Sequence, residues 1–142
     1  MSIEKILYTA IATATGGREG RASSSDQALD VQLSTPRELG GAGGAGTNPE
    51  QLFAAGWSTC FESAIGIAAH RRKVALPADR FIDAEVDLSL IDGFYTLSAR
   101  LGVHLPGLSS DTAQQLVDEA HTLCPYSRAT HGNIAVATVV TV

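Results

Sequence analysis

The order of elements along this 142-residue chain predicts one α+β domain spanning residues 1–142. Three observations carry that prediction: a β-hairpin in which one register satisfies both faces, a long apolar helix that opens after Asn48-Pro49, and three short strand signals ahead of it. Together they give an N-terminal three-stranded meander, a long buried central helix, a β-hairpin, a second helix and a final strand.

Residues 5 to 15, KILYTAIATAT, are rich in β-branched and aromatic side chains and read as the first strand. GGREG, Gly16 to Gly20, is a turn with Arg18 at its tip. RASSS pairs back on the first strand. A weaker turn at Asp26-Gln27 leads to a half-buried strand in which Leu29, Val31 and Leu33 alternate with Asp30 and Gln32. Pro36 ends it.

The helix begins near residue 48. Thr47 and Glu50 fit a capping box, while Asn48 followed by Pro49 is the competing cap. It continues through Ala68 and stops after Arg71, Arg72 and Lys73, cations suited to a helix C-terminus. Leu52, Phe53, Ala55, Gly56, Thr59, Cys60, Ala64, Ile67 and Ala68 leave little polar face, which predicts burial all round and an interior Cys60.

In the hairpin, Asp92-Gly93 is a type I′ turn pair. The register it sets opposes Leu90 to Tyr95, Leu88 to Leu97, Val86 to Ala99, Ala84 to Leu101 and Ile82 to Val103. On the other face Glu85 meets Arg100 and Ser89 meets Thr96. After Pro106-Gly107, Ser109 or Ser110 caps a helix whose inner stripe is Ala113, Leu116, Val117, Ala120 and Cys124. Pro125 ends it. The last stretch, NIAVATVVTV, is apolar at nearly every position and reads as a strand covered on both faces.

At 44% hydrophobic and 18% charged, the chain is globular. Its net charge of −5 argues against nucleic acid or an anionic membrane as the main partner. There is neither an uninterrupted apolar run of ~20 residues nor a basic-then-apolar N-terminus, so the expected location is cytoplasmic. In that compartment a pair of cysteines is more often catalytic, redox-sensing or metal-binding than a structural staple.

Chemistry centres on the only two cysteines, Cys60 and Cys124, both on inward helix faces. One reading makes them small buried hydrophobes. The other makes them a redox pair, with Cys124 at a helix end where the chain can move. A nucleophilic cysteine must be a thiolate, and burial opposes that, so a cation is needed. Arg18 is a candidate cation, and Glu50 could hold it by a bidentate pair. Glu50 and Cys60 lie ten residues apart, roughly 15 Å along a straight helix. A second subunit supplying Glu50 and Arg18 would resolve that separation.

Other chemistries fit less well. Gly41, Gly43 and Gly46 match G-x-G-x-x-G, but Pro36 separates them from the preceding strand and the next strands are antiparallel, unlike a dinucleotide loop. His121 and Cys124 could be half of a zinc site, yet His70, His104 and His131 show no matching spacing, so no metal is expected. GWSTC is not the G-x-S-x-G of a serine hydrolase.

Three blocks, TATGGREGR, LSTPRELGGAGGAGTNPEQLFAAGWSTCF and CPYSRATHGNIAV, in this order and spacing, resemble the organic hydroperoxide resistance family within the wider OsmC-like fold. The resemblance covers essentially the whole chain. It implies an intertwined homodimer with active sites at the subunit interface. It implies Cys60 as the peroxidatic cysteine, Cys124 as the resolving one, and Arg18 and Glu50 as the activating pair. It implies organic and fatty-acid hydroperoxides as substrates, no bound cofactor, and as external reductant a dithiol such as dihydrolipoamide on a lipoylated protein. Phe53, Trp57 and Phe61 are then wall residues of an apolar entrance, against the alternative of ordinary core packing. The chain departs from the family's usual residues at Trp57, Glu62, Asp26-Gln27, Arg128 and His131, and at none of the four catalytic positions. Two rival readings are a redox sensor that uses the same cysteine pair as a switch and a structural module with inert cysteines.

Overall fold

The computed structural model describes residues 3–142 and divides between Pro49 and Glu50 into two compact units. The first is an antiparallel sheet of β1 (Ala12–Thr15), β2 (Arg21–Ser24) and β3 (Asp30–Gln32), in that order. Arg21 of β2 holds Asp30 of β3 at 2.7 Å. Gly16, at φ 74°, starts the 3-10 turn Gly17–Glu19 between β1 and β2. The meander is as the sequence predicts, but its first strand is shorter than residues 5–15. The last link across is Ser25 N–H to the Ile11 carbonyl, 2.9 Å. Beyond it Asp26 turns the chain by accepting from Ser24 Oγ at 2.6 Å, so β2 has no residues left to pair with 5–10. Ile3, Ile6, Leu7, Tyr8 and Ile11 are exposed.

The glycine loop serves its own packing. A Cβ on Gly41 would collide with Thr35, and one on Gly46 with Ser34. Thr47 forms a parallel bridge with Leu33, so it belongs to the sheet's edge and Asn48 occupies the position before the helix.

The second unit holds α1 (Pro49–Arg72), β4 (Phe81–Ile91), β5 (Phe94–His104), α2 (Ser110–Leu123), α3 (Pro125–Thr130) and β6 (Ala135–Thr141). The sheet order is β4-β5-β6, with β6 parallel to β5. All eleven hairpin pairs, from Phe81–His104 to Ile91–Phe94, follow the predicted register. Asp92 and Gly93 both have positive φ (51° and 84°), as the tight turn requires. Ser109 caps α2, its hydroxyl accepting from the Thr112 N–H at 3.2 Å.

The core joins Trp57, Phe61, Ile65 and Ala68 of α1 to Ala99, Leu101 and Val103 of β5 and Leu116, Val117 and Ala120 of α2. The opposite face of the sheet is polar: Arg100 bonds both Asp87 oxygens, at 2.6 and 3.0 Å, and also pairs with Glu85. Two expectations are corrected here. β6 is covered on one face only: Val136, Thr138 and Val140 are half-buried while Val139 is exposed, because the helices lie against one side of the sheet. α1 also keeps an open stripe through Ala55, Thr59, Ser63 and Ile67. An apolar composition all round does not dictate what covers each face.

By length and composition α1 is apolar enough to cross a bilayer, a match reached despite its polar interruptions. Its inward side is nevertheless a protein core, with Trp57, Phe61, Ile65 and Ala68 fully buried. Its C-terminus is tied to α2, where Arg72 bonds Glu119 at 2.8 Å.

Candidate active site

The geometry is set by a helix break. Pro125 cannot continue α2, but it suits the first position of a helix, so α3 starts where α2 stops. The sequence reading ended the helix at Pro125 and missed this six-residue helix. Cys124 is the joint: its backbone is extended (φ −71°, ψ 119°), its N–H closes α2 on the Ala120 carbonyl at 2.8 Å, and its carbonyl accepts from Arg128 N–H at 3.0 Å.

This joint brings the two cysteines together. Cys124 Sγ lies 3.4 Å from Cys60 Sγ, and both are free thiols. Cys124 is fully buried while Cys60 is partly open, so the expected interior Cys60 is corrected to one at the edge of the core. Burial pushes the Cys60 thiol above its ordinary value, and the Cys124 sulfur adds to the shift; the Tyr126 backbone N–H acts the other way. A disulfide needs about 2.05 Å between sulfurs, so a shift of roughly 1.3 Å would close the pair.

Phe53, Trp57 and Phe61 recur along the same helix and end up differently. Trp57 and Phe61 are fully buried, Phe61 tilted against His121 at 4.7 Å. Phe53 is partly exposed and meets Trp57 and Tyr126 edge-on, at 5.7 and 5.9 Å. Tyr126 was not singled out from sequence. Its ring packs over Gly56, where a Cβ would stand 2.7 Å from the Tyr126 hydroxyl oxygen. Its position two residues after Cys124 was the available signal. Glu62, two residues past Cys60, faces away on the helix and pairs with Arg80 at 2.6 Å.

α1 is unbroken from Pro49 to Arg72, so Glu50 and Cys60 of one chain remain about 15 Å apart. Glu50 is half-buried in the first turn of α1. Arg18 is half-buried at the centre of the Gly17–Glu19 turn in the first unit, which Thr35 braces: its N–H donates to Glu19 Oε1 at 3.1 Å.

His121 is not spare for a metal. Nδ1 lies 3.0 Å from Ser127 Oγ and Nε2 lies 2.9 Å from Thr138 Oγ1. Among the described residues no group of three His, Cys, Asp or Glu side chains is placed to hold an ion. Burial lowers the His121 pKa, reinforced by His131 and opposed by Asp118, which favours the neutral ring.

The chain is thus an α+β protein in which a helix-borne thiol faces a second thiol at a helix joint. The family model described as OsmC-like protein matches residues 41–139. The organic hydroperoxide resistance protein of Xanthomonas axonopodis pv. citri is 58% identical over 135 residues, 95% of each chain. The crystal structure of an organic hydroperoxide resistance protein from Legionella pneumophila superposes with a TM-score of 0.92 at 47% identity, covering 97% of this chain and all of that one. That of OhrB from Bacillus subtilis gives 0.88 at 40% identity over 96% of this chain and all of that one. The chain therefore belongs to the OsmC-like family and, within it, to the organic hydroperoxide resistance proteins.

Proposed function

We propose that this protein is a thiol peroxidase that reduces organic hydroperoxides, fatty-acid hydroperoxides included, to alcohols in the cytoplasm as part of an oxidative stress response. The observation that carries the reading is the 3.4 Å approach of the two sulfurs at a joint between helices. The names of the relatives supply the substrate class.

The Cys60 thiolate attacks the distal oxygen of the hydroperoxide. The O–O bond breaks, the alkoxide takes a proton and leaves as the alcohol, and Cys60 becomes a sulfenic acid. The Cys124 thiol condenses with it: the S–S bond forms and water leaves. The two thiols thus supply the two electrons that reduce the peroxide. An external dithiol, a dihydrolipoyl group on a lipoylated protein, restores both thiols by exchange, with no bound cofactor.

Burial alone disfavours the Cys60 thiolate, so activation needs a cation, and Arg18 oriented by Glu50 is the proposed source. The unbroken α1 keeps Glu50 away from Cys60 of its own chain, which favours a homodimer with both groups supplied by the second subunit. The exposed apolar residues before β1 and the open stripe of α1, where Ile67 is 49% exposed, support such an interface. Phe53 and Tyr126 form the proposed apolar wall beside Cys60, with Trp57 and Phe61 packed behind them.

Turnover of cumene hydroperoxide with dihydrolipoamide tests the reading. Many turnovers per subunit are expected. A single stoichiometric oxidation that no dithiol reverses into a cycle would favour the sensor.

A further inference from the structure

The joint at Cys124 is held by a hydrogen-bond relay that the peroxide chemistry itself does not use. Trp57 Nε1 lies 3.3 Å from Ser127 Oγ, which lies 3.0 Å from His121 Nδ1, while His121 Nε2 lies 2.9 Å from Thr138 Oγ1. Four elements meet here: Trp57 on α1, His121 on α2, Ser127 on α3 and Thr138 on β6.

Proton bookkeeping fixes the direction of one link. An indole nitrogen only donates, so Ser127 Oγ accepts from Trp57. With the neutral ring protonated at Nε2, His121 Nδ1 accepts the Ser127 hydroxyl proton and Nε2 donates to Thr138; in the other tautomer both links run the opposite way. Every buried side-chain polar atom among the described residues has a partner, and either tautomer keeps the relay fully paired.

The relay adds to the packing of Tyr126 on Phe53 and Gly56, the other hold on α3. Trp57, His121, Ser127, Arg128, Ile134 and Thr138 line part of a cavity of about 690 Å³, so this side of α3 borders open space rather than close-packed core. Ser127 sits three residues after Cys124, on the first turn of a helix of only six residues. Too short to hold itself, α3 keeps its place through its anchors.

We propose that Ser127 and His121 are positioning residues for the resolving cysteine: anchored to Trp57 and Thr138, they hold the first turn of α3, and so Cys124, within reach of Cys60 for the step that closes the disulfide. The inference rests on the reading of Cys60 and Cys124 as the peroxidatic and resolving pair. It concerns the second chemical step and leaves the first alone. A misplacement of about 1 Å at a reacting atom can cost on the order of a hundredfold in rate, so losing the anchor should slow closure at least tenfold.

The test separates the two steps. Reduced wild type, Ser127→Ala, Ser127→Thr and His121→Gln are each treated with tert-butyl hydroperoxide, the Cys60 sulfenic acid is trapped with dimedone, and disulfide formation is followed by mass spectrometry. Diamide, which forms disulfides without a peroxide, is run in parallel. In S127A the sulfenic acid should form at the wild-type rate and accumulate, with disulfide closure at least tenfold slower under both oxidants. S127T, which retains the hydroxyl, should restore closure. H121Q removes the Nδ1 partner of Ser127 without unpairing Trp57, so it gives the same split should S127A fold poorly. Wild-type closure rates in both S127A and H121Q would overturn the proposal, as would equal slowing in S127T and S127A. If peroxide leaves the wild-type thiols untouched while diamide still closes the disulfide more slowly in S127A and H121Q than in the wild type, the peroxidase reading falls and the positioning role stands.

Discussion

Cys60 and Cys124 are 64 residues apart in sequence and 3.4 Å apart at their sulfurs. Nothing in local structure dictates that approach. It follows from α2 packing its apolar stripe against α1 and from Pro125 forcing the chain to restart as α3, which leaves Cys124 at the corner. The two thiols should therefore have unequal roles. Cys60→Ser should abolish peroxide consumption. Cys124→Ser should still reduce one equivalent per subunit and then hold a Cys60 sulfenic acid that dimedone labels. Equal behaviour of the two variants in a stoichiometric titration would contradict the assignment.

Arg18→Ala tests the activation of Cys60. An opposite charge near a titrating group shifts its pKa by about 1–3 units, so its loss should slow Cys60 oxidation near neutral pH by on the order of 10- to 1,000-fold. Raising the pH should recover part of the loss. Stopped-flow rates against pH, with circular dichroism to verify the fold, provide the measurement, and equal rates in variant and wild type would remove Arg18 from the mechanism.

The proposed dimer can be tested through the surface that would carry it. A chain with exposed Ile3, Leu7 and Tyr8 ahead of β1 and Ile67 on its central helix should elute as a dimer at twice its chain mass. Light scattering after size exclusion reads this directly. An Ile67→Glu variant should shift the mass toward the monomer and lower peroxidase turnover with it, the outcome expected of the proposed supply of Arg18 and Glu50 by a second subunit.

Acid stability has a stated sign. Hydrogen bonds from Arg100 hold the Asp87 carboxyl below its ordinary range, and those from Arg72 do the same for Glu119. A depressed carboxyl stabilises the fold above its unfolded pKa, about 4, and the contribution fades as pH falls through the folded value. Both pairs are solvent-facing, so the effect is modest and weakens with salt. Calorimetry between about pH 5 and pH 3 should show Tm falling less steeply in Arg100→Met than in the wild type.

Core packing gives a further expectation. Leu101, fully buried in β5, should cost about 2–5 kcal/mol on replacement by alanine, read from urea unfolding.

Much of this was legible in the residues. The hairpin register was readable because Asp92-Gly93 fixes the turn and a one-residue slip would place every apolar side chain on the wrong face. The inward direction of Cys124 followed from its spacing to Val117. The α3 helix was not legible, because proline both ends one helix and begins another and the sequence does not say which. Nor was the length of β1, which depends on how many residues its partner has left before turning at Asp26. The Trp57–Ser127–His121 relay joins three helices, and no local pattern announces a contact between residues 70 positions apart.

The central claim is that Cys60 and Cys124 are a peroxidatic pair tuned to organic substrates. Reduced protein mixed with one equivalent of an organic hydroperoxide, with hydrogen peroxide in parallel and thiols mapped by mass spectrometry, tests it most directly. A rapid Cys60–Cys124 disulfide, formed faster with the organic hydroperoxide, is the predicted result. Two untouched thiols would contradict the account and leave a fold that has kept the family's residues without its chemistry.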